Sequence, residues 1–226
     1  MKWKVIILSG LILCASSQSM AQKEPDIEVS DPDAIALLDK VSKKLKGAKN
    51  YAADFTFTVS FPSDQEDEVK KGELIQEGTK YFVDIEDQTM TCDGNSVWSH
   101  MIEEKQVEIT DFEPSEEGFD NPSDFLSIYE KEEFIFGILQ SYYSGKDLIK
   151  EIEFKPTDEG SEFSKVRIVV NESKKRIDEV LTFYKSGVRY TLNIQDLQLN
   201  VSTGDGTFTF DASKFPGVHV EDLRFN

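Results

Sequence analysis

His100 and His219 are the only histidines of the chain, and its two cysteines are Cys14 and Cys92. Such side chains usually bind metals or attack substrates. A zinc site takes three or four ligands of this kind, and a nucleophile needs a base within hydrogen-bond reach. Two histidines far apart in sequence, and a Cys92 thiol beside Asp93, supply neither. The spacing holds no HExxH, CxxC, GxSxG or phosphate-loop pattern. The acidic runs at 64–68 and 113–117 lack the alternating ligands and central glycine of a calcium loop, so they read as solvated loops. No enzymatic activity, metal or cofactor is expected, and Cys92 reads as a small buried hydrophobe.

The chain is rich in apolar ring surface instead, with 16 Phe, 7 Tyr and 2 Trp. Many of these rings fall on alternating strand positions. A closed core and a lined cavity bury the same face, so periodicity admits either.

The elements that must position these rings can be read in order. Met1 to Gln22 has Lys2 and Lys4, then an apolar run from Val5 to Leu13, then Ser19-Met20-Ala21. That is the pattern of a secretory leader cleaved after about Ala21, and its apolar run is too short to span a bilayer. Cys14 suits lipid attachment poorly, because Leu13 stands where a small residue is needed. Removal of 21 residues leaves 205 of the 226, enough for a single domain over 22–226. The leader takes two lysines and no acid, so the mature chain has 43 acids, 23 bases and a charge of −20. That balance argues against nucleic acid and anionic membranes as partners. Cys92 is then alone, so no intrachain disulfide is expected.

A helix is expected from Asp31, a cap followed by Pro32, to Gly47. Ala34, Leu37, Leu38, Val41 and Leu45 form its apolar stripe, with lysines near its carboxyl end. The period then changes to two. Tyr51, Ala53, Phe55, Phe57, Val59 and Phe61 alternate with polar residues, as in a half-buried strand. Ser63–Lys71 reads as an acidic loop. A hairpin around Gly78 and another at Asp93-Gly94 follow, with a further strand at 107–110. Asn121-Pro122-Ser123-Asp124 opens a short expected helix carrying Phe125 to Tyr129, and 134–143 reads as helical or irregular. Strands are expected at 148–155, 163–171, 177–185, 188–195 and 207–211, a meander that curls into a sheet or barrel.

Three segments carry a resemblance. Tyr51-Ala52-Ala53-Asp54-Phe55-Thr56, after the helix, is similar to the opening of the LolA family of periplasmic lipoprotein carriers. Cys92-Asp93-Gly94-Asn95-Ser96-Val97-Trp98 resembles its hairpin, and Phe208-Thr209-Phe210 with Pro216 to Arg224 resembles its ending. Together they span nearly the whole mature chain. The resemblance implies an α+β fold, mainly antiparallel β: an unclosed β-barrel with a helical lid over an apolar cavity. It also implies a monomeric periplasmic chaperone that takes up acylated lipoproteins. Its expected partners are an inner-membrane lipoprotein-releasing transporter and an outer-membrane acceptor or the membrane itself. A sensor akin to sigma-factor regulators, or an exported binder of other lipids or glycolipids, is the alternative on the same fold.

On this reading Phe55, Phe57, Val59, Leu74, Tyr81, Val83, Ile85 and Trp98 line the cavity. Leu38, Val41, Leu45, Leu126, Ile128 and Tyr129 form the lid. The family holds its lid with an arginine on an early strand. The corresponding stretch here, 72–85, has only Lys80, which lacks the forked geometry of arginine.

Overall fold

The computed structural model describes residues 27, 29–63, 65–113 and 133–224. Helix α1 (Pro32–Lys46) starts where the sequence says it must. The Asp31 carboxylate accepts the Asp33 amide at 2.9 Å, and Pro32 occupies the first turn. Such a cap satisfies an amide that has no partner within the helix. The helix enters from the sheet, because the Asp31 amide donates to the Phe136 carbonyl at 2.8 Å.

The strands are β1 (Tyr51–Ser60), β2 (Glu68–Glu77), β3 (Lys80–Ile85), β4 (Gln88–Cys92), β5 (Ser96–Met101) and β6 (Gln106–Asp111). They continue as β7 (Phe134–Ser144), β8 (Asp147–Pro156), β9 (Phe163–Asn171), β10 (Arg176–Tyr184), β11 (Arg189–Leu199) and β12 (His219–Asp222). All twelve form one sheet in the order β12-β6-β5-β4-β3-β2-β1-β11-β10-β9-β8-β7. Two antiparallel meanders, β1–β6 and β7–β11, meet where β1 pairs with β11. Among the described strands, only β12 is parallel to its neighbour, β6. The sheet ends at β12 and β7 and is unclosed, mainly antiparallel, with α1 on one face.

Turn chemistry sets the register. Gly94 adopts φ +94°, and the Asp93 carboxylate accepts the Asn95 and Ser96 amides at 2.8 and 2.9 Å. This is the Asx turn that the Asp-Gly pair promises.

Three expectations are corrected. Residues 134–143 are strand rather than helical or irregular. Phe134, Phe136 and Ile138 alternate inward up to a register shift at Ile138/Gln140, and Gln140 to Ser144 beyond it are exposed. The 63–71 stretch is not all loop, since β2 begins at Glu68 and pairs along β1. Residues 207–211 are turn rather than strand, leading into a short 3-10 helix at Ala212–Lys214. The short helix expected at 121–129 lies outside the described residues.

Candidate functional site

The inner face of the sheet follows from the cross-strand register. Ala53, Phe55, Phe57 and Val59 on β1 share it with Leu74 and Gly72 on β2, Tyr81, Val83 and Ile85 on β3, and Cys92 and Met90 on β4. On β5 it continues through Val97, which faces Cys92. Trp98, expected to line the cavity, faces Thr91 on the opposite side of the sheet. The pleat decides this, because successive residues of a strand point to opposite faces.

Two apolar clusters divide the inner face. In the first, Leu37, Leu38, Val41 and Leu45 of α1 pack on Phe136, Ile152, Phe154, Ile168 and Val180. All of these are nearly or fully buried. The three α1 residues expected to cap the lining therefore cover the β7–β11 half of the sheet instead. Leu126, Ile128 and Tyr129 lie outside the described residues.

The second cluster is built on Phe55, Tyr81, Val83 and Cys92. Phe57, Leu74, Ile85, Met90, Val97, Phe112 and Leu192 pack around it and are only half-buried. No α1 residue belongs to it, and Leu192 bridges it to the first cluster. Val59 shares the face without joining the cluster. Sequence reasoning named Phe57, Leu74 and Ile85 but missed Met90, Val97 and Leu192. The signal for Val97 was its place opposite Cys92 across the Asp-Gly turn.

A ladder of rings extends this surface across the seam. Phe57 meets Tyr190 at 5.4 Å, Tyr190 meets Tyr184 at 4.9 Å, and Tyr184 meets Phe163 at 5.0 Å. A register shift at Phe183/Tyr184 brings Phe163 opposite Tyr184. Gly72 is required beneath Phe55. A β-carbon there would stand 2.5 Å from the Phe55 ring and 2.3 Å from the Asp84 carbonyl.

Few polar groups interrupt the surface. At its upper end the hydroxyl of half-buried Tyr51 donates to Gln76 at 2.6 Å, and desolvation pushes its pKa up. At its lower end Lys70, opposite Phe57, pairs with Asp87 at 3.1 Å. That bond lowers the Asp87 pKa and raises that of Lys70. Lys80 is exposed on the other face, one residue out of phase with Tyr81. Cys92 is fully buried, and desolvation raises its thiol pKa. His100 is buried on the outer face against Phe215 at 4.6 Å and Phe210 at 5.4 Å, whereas His219 is exposed on β12. No group of three or more His, Cys, Asp or Glu is placed to hold a metal ion among the described residues.

No protein-family model and no curated protein matches the chain. Solved structures do. An uncharacterized conserved protein from Thermus thermophilus aligns at TM-score 0.53 and 11% identity, over 84% of this chain and 99% of its own. The likeness is one of fold. The similar structures include a LolA superfamily protein from Nitrosomonas europaea, at TM-score 0.41 and 15% identity over 78% of this chain and 97% of its own. A lipoprotein-sorting domain from Vibrio parahaemolyticus aligns at TM-score 0.44 and 12% identity, over 77% and 95%.

Proposed function

We propose that the protein binds acyl chains on the second apolar cluster of its inner face and carries lipoproteins through the periplasm as a non-enzymatic chaperone. The supporting observation is the contrast between the two clusters. One is closed by α1, while the other presents half-buried Phe57, Leu74, Ile85, Met90, Val97 and Leu192 with no α1 residue against them among the described residues. Each buried methylene contributes about 0.8 kcal/mol, so a lipoprotein's chains need a large apolar surface to cross water. A surface of adaptable side chains such as Met90, with few hydrogen-bonding groups, holds such chains without fixing one geometry. The leader pattern at 1–21 supports export, and the carrier motifs support a donor at the inner membrane and an acceptor at the outer one. Lys80 faces away from the cluster, so it is not placed to latch a lid over it.

Titration with a fluorescent fatty-acyl probe tests this reading. Saturable binding is expected, with at least a tenfold loss in Phe57→Glu, since a carboxylate buried beside an acyl chain is costly to desolvate. A wild-type protein that takes up no probe would overturn it.

A further inference from the structure

Charge is unevenly distributed in this acidic molecule. The last turns of α1 carry exposed Lys40, Lys43, Lys44 and Lys46. The Lys44 ammonium donates to the Lys174 carbonyl at 2.7 Å, which holds the helix end against the β9–β10 turn with Lys174 and Lys175. The β7–β8 turn, Gly145-Lys146, is tied to the same place. There the Leu148 amide donates to the Ser173 hydroxyl at 2.9 Å, and Lys174 pairs with Asp147 at 2.7 Å. Three acids at this pole are paired, Asp147 by Lys174, Glu172 by Lys150 and Asp178 by Arg176, while Glu151 accepts a hydrogen bond from the Tyr142 hydroxyl with Glu179 beside it. At the opposite ends of the strands the loops carry Asp158, Glu159 and Glu162, Glu86, Glu103 and Glu104, and Asp87 paired with Lys70, against the exposed lysines Lys105 and Lys185.

Two rings sit at the basic pole. Tyr143 is 73% exposed and Tyr142 41%, at the end of β7 beside Gly145-Lys146. Tyrosine is enriched at membrane–water interfaces, where its hydroxyl stays wet and its ring enters the headgroup layer. Lysines close to an anionic leaflet are attracted within a Debye length. We infer that this pole, the end of α1 with the β7–β8 and β9–β10 turns, docks the protein on an anionic lipid surface. Single-point ammonium charges on flexible stems suit a fluid field of headgroups better than a fixed carboxylate partner, which arginine forks would match. The acidic loops at the far end orient the molecule, because they are repelled from the same surface. Net charge argued against anionic membranes; the folded charge distribution reverses that locally.

Cosedimentation of the purified protein with vesicles tests the inference. Vesicles of phosphatidylglycerol and phosphatidylcholine are compared with phosphatidylcholine alone, at low and at 0.5 M salt. Binding to the anionic vesicles only, weakened at least tenfold by salt, is expected. Lys40→Glu/Lys43→Glu/Lys175→Glu should abolish it, while Lys214→Glu, away from the pole, should leave it unchanged. Tyr143→Ser should weaken it severalfold. Thermal melting confirms that the variants fold, and unchanged acyl-probe uptake in the triple variant separates docking from the cavity. Equal binding to neutral vesicles, no binding to either kind, or indifference to the triple charge reversal would overturn the inference; the second result would leave the pole as a protein-docking surface.

Discussion

Gly72 shows how one absent side chain shapes the apolar face. It sits in a strand interior, where glycine usually weakens the sheet, yet the Phe55 ring occupies the space of its missing side chain. The nearest obstacle to a β-carbon is the backbone carbonyl of Asp84, which cannot swing aside as a side chain would. Gly72→Ala should therefore cost about 1–3 kcal/mol, as overpacked sites do. A urea titration would read this as a lower midpoint with unchanged slope, and an unchanged midpoint would count against the tight fit. The sequence marked Phe55 as inward but gave Gly72 no role, because the contact depends on register between strands. His100 makes the second residue-scale case. Its buried Nδ1 has no hydrogen-bond partner, and desolvation lowers its pKa below the ordinary 6.5. The unfolded chain therefore takes up the proton first. The stability contributed by the neutral ring is complete above pH 6.5 and is lost as pH falls below it. Urea midpoints should drop between pH 7 and pH 5 in the wild type and drop less in His100→Phe. Parallel pH dependence in the two proteins would exclude His100 as the cause.

At the scale of elements, α1 is the piece most completely written in the sequence. Its cap, stripe and basic last turn are local signals, and all five apolar positions are buried. What it covers is not a local property. The same stripe fits either half of the inner face, and only the β1–β11 pairing and the link from Asp31 to Phe136 place it over β7–β11. Removing the cap by Asp31→Ala should cost about 1 kcal/mol, read as a lower melting temperature; an unchanged melt would show that the backbone link to β7 suffices. The misreading of 134–143 has a related cause. Phe134, Phe136 and Ile138 keep a strand period, but the shift before Gln140 breaks the alternation that would reveal it. Trp98 was misplaced for the opposite reason. A motif located it, whereas the two-residue period of β5 puts Val97 inside.

At the scale of the molecule, the open, mainly antiparallel sheet was legible from the spacing of turns and from the three motif segments. The division of its inner face was not, because it arises from contacts between residues far apart in the chain. Net charge misled in the same way. A sum of −18 over the sequence conceals a cationic end assembled from three separated segments. The meeting of β1 with β11 also sets an order of events in time. Neighbouring strands within each meander can zip by local hairpin closure, on microsecond scales. The strand that completes β1, β11, emerges only after all of β2 to β10, and β12 must then reach back to β6. Until that moment Phe55 and Phe57 stand on an unpaired edge. Pairing between distant segments is slow and leaves apolar surface exposed to aggregation. A chain we propose to be a shield for apolar cargo thus passes, once in each molecule's life, through a stage in which it needs shielding itself.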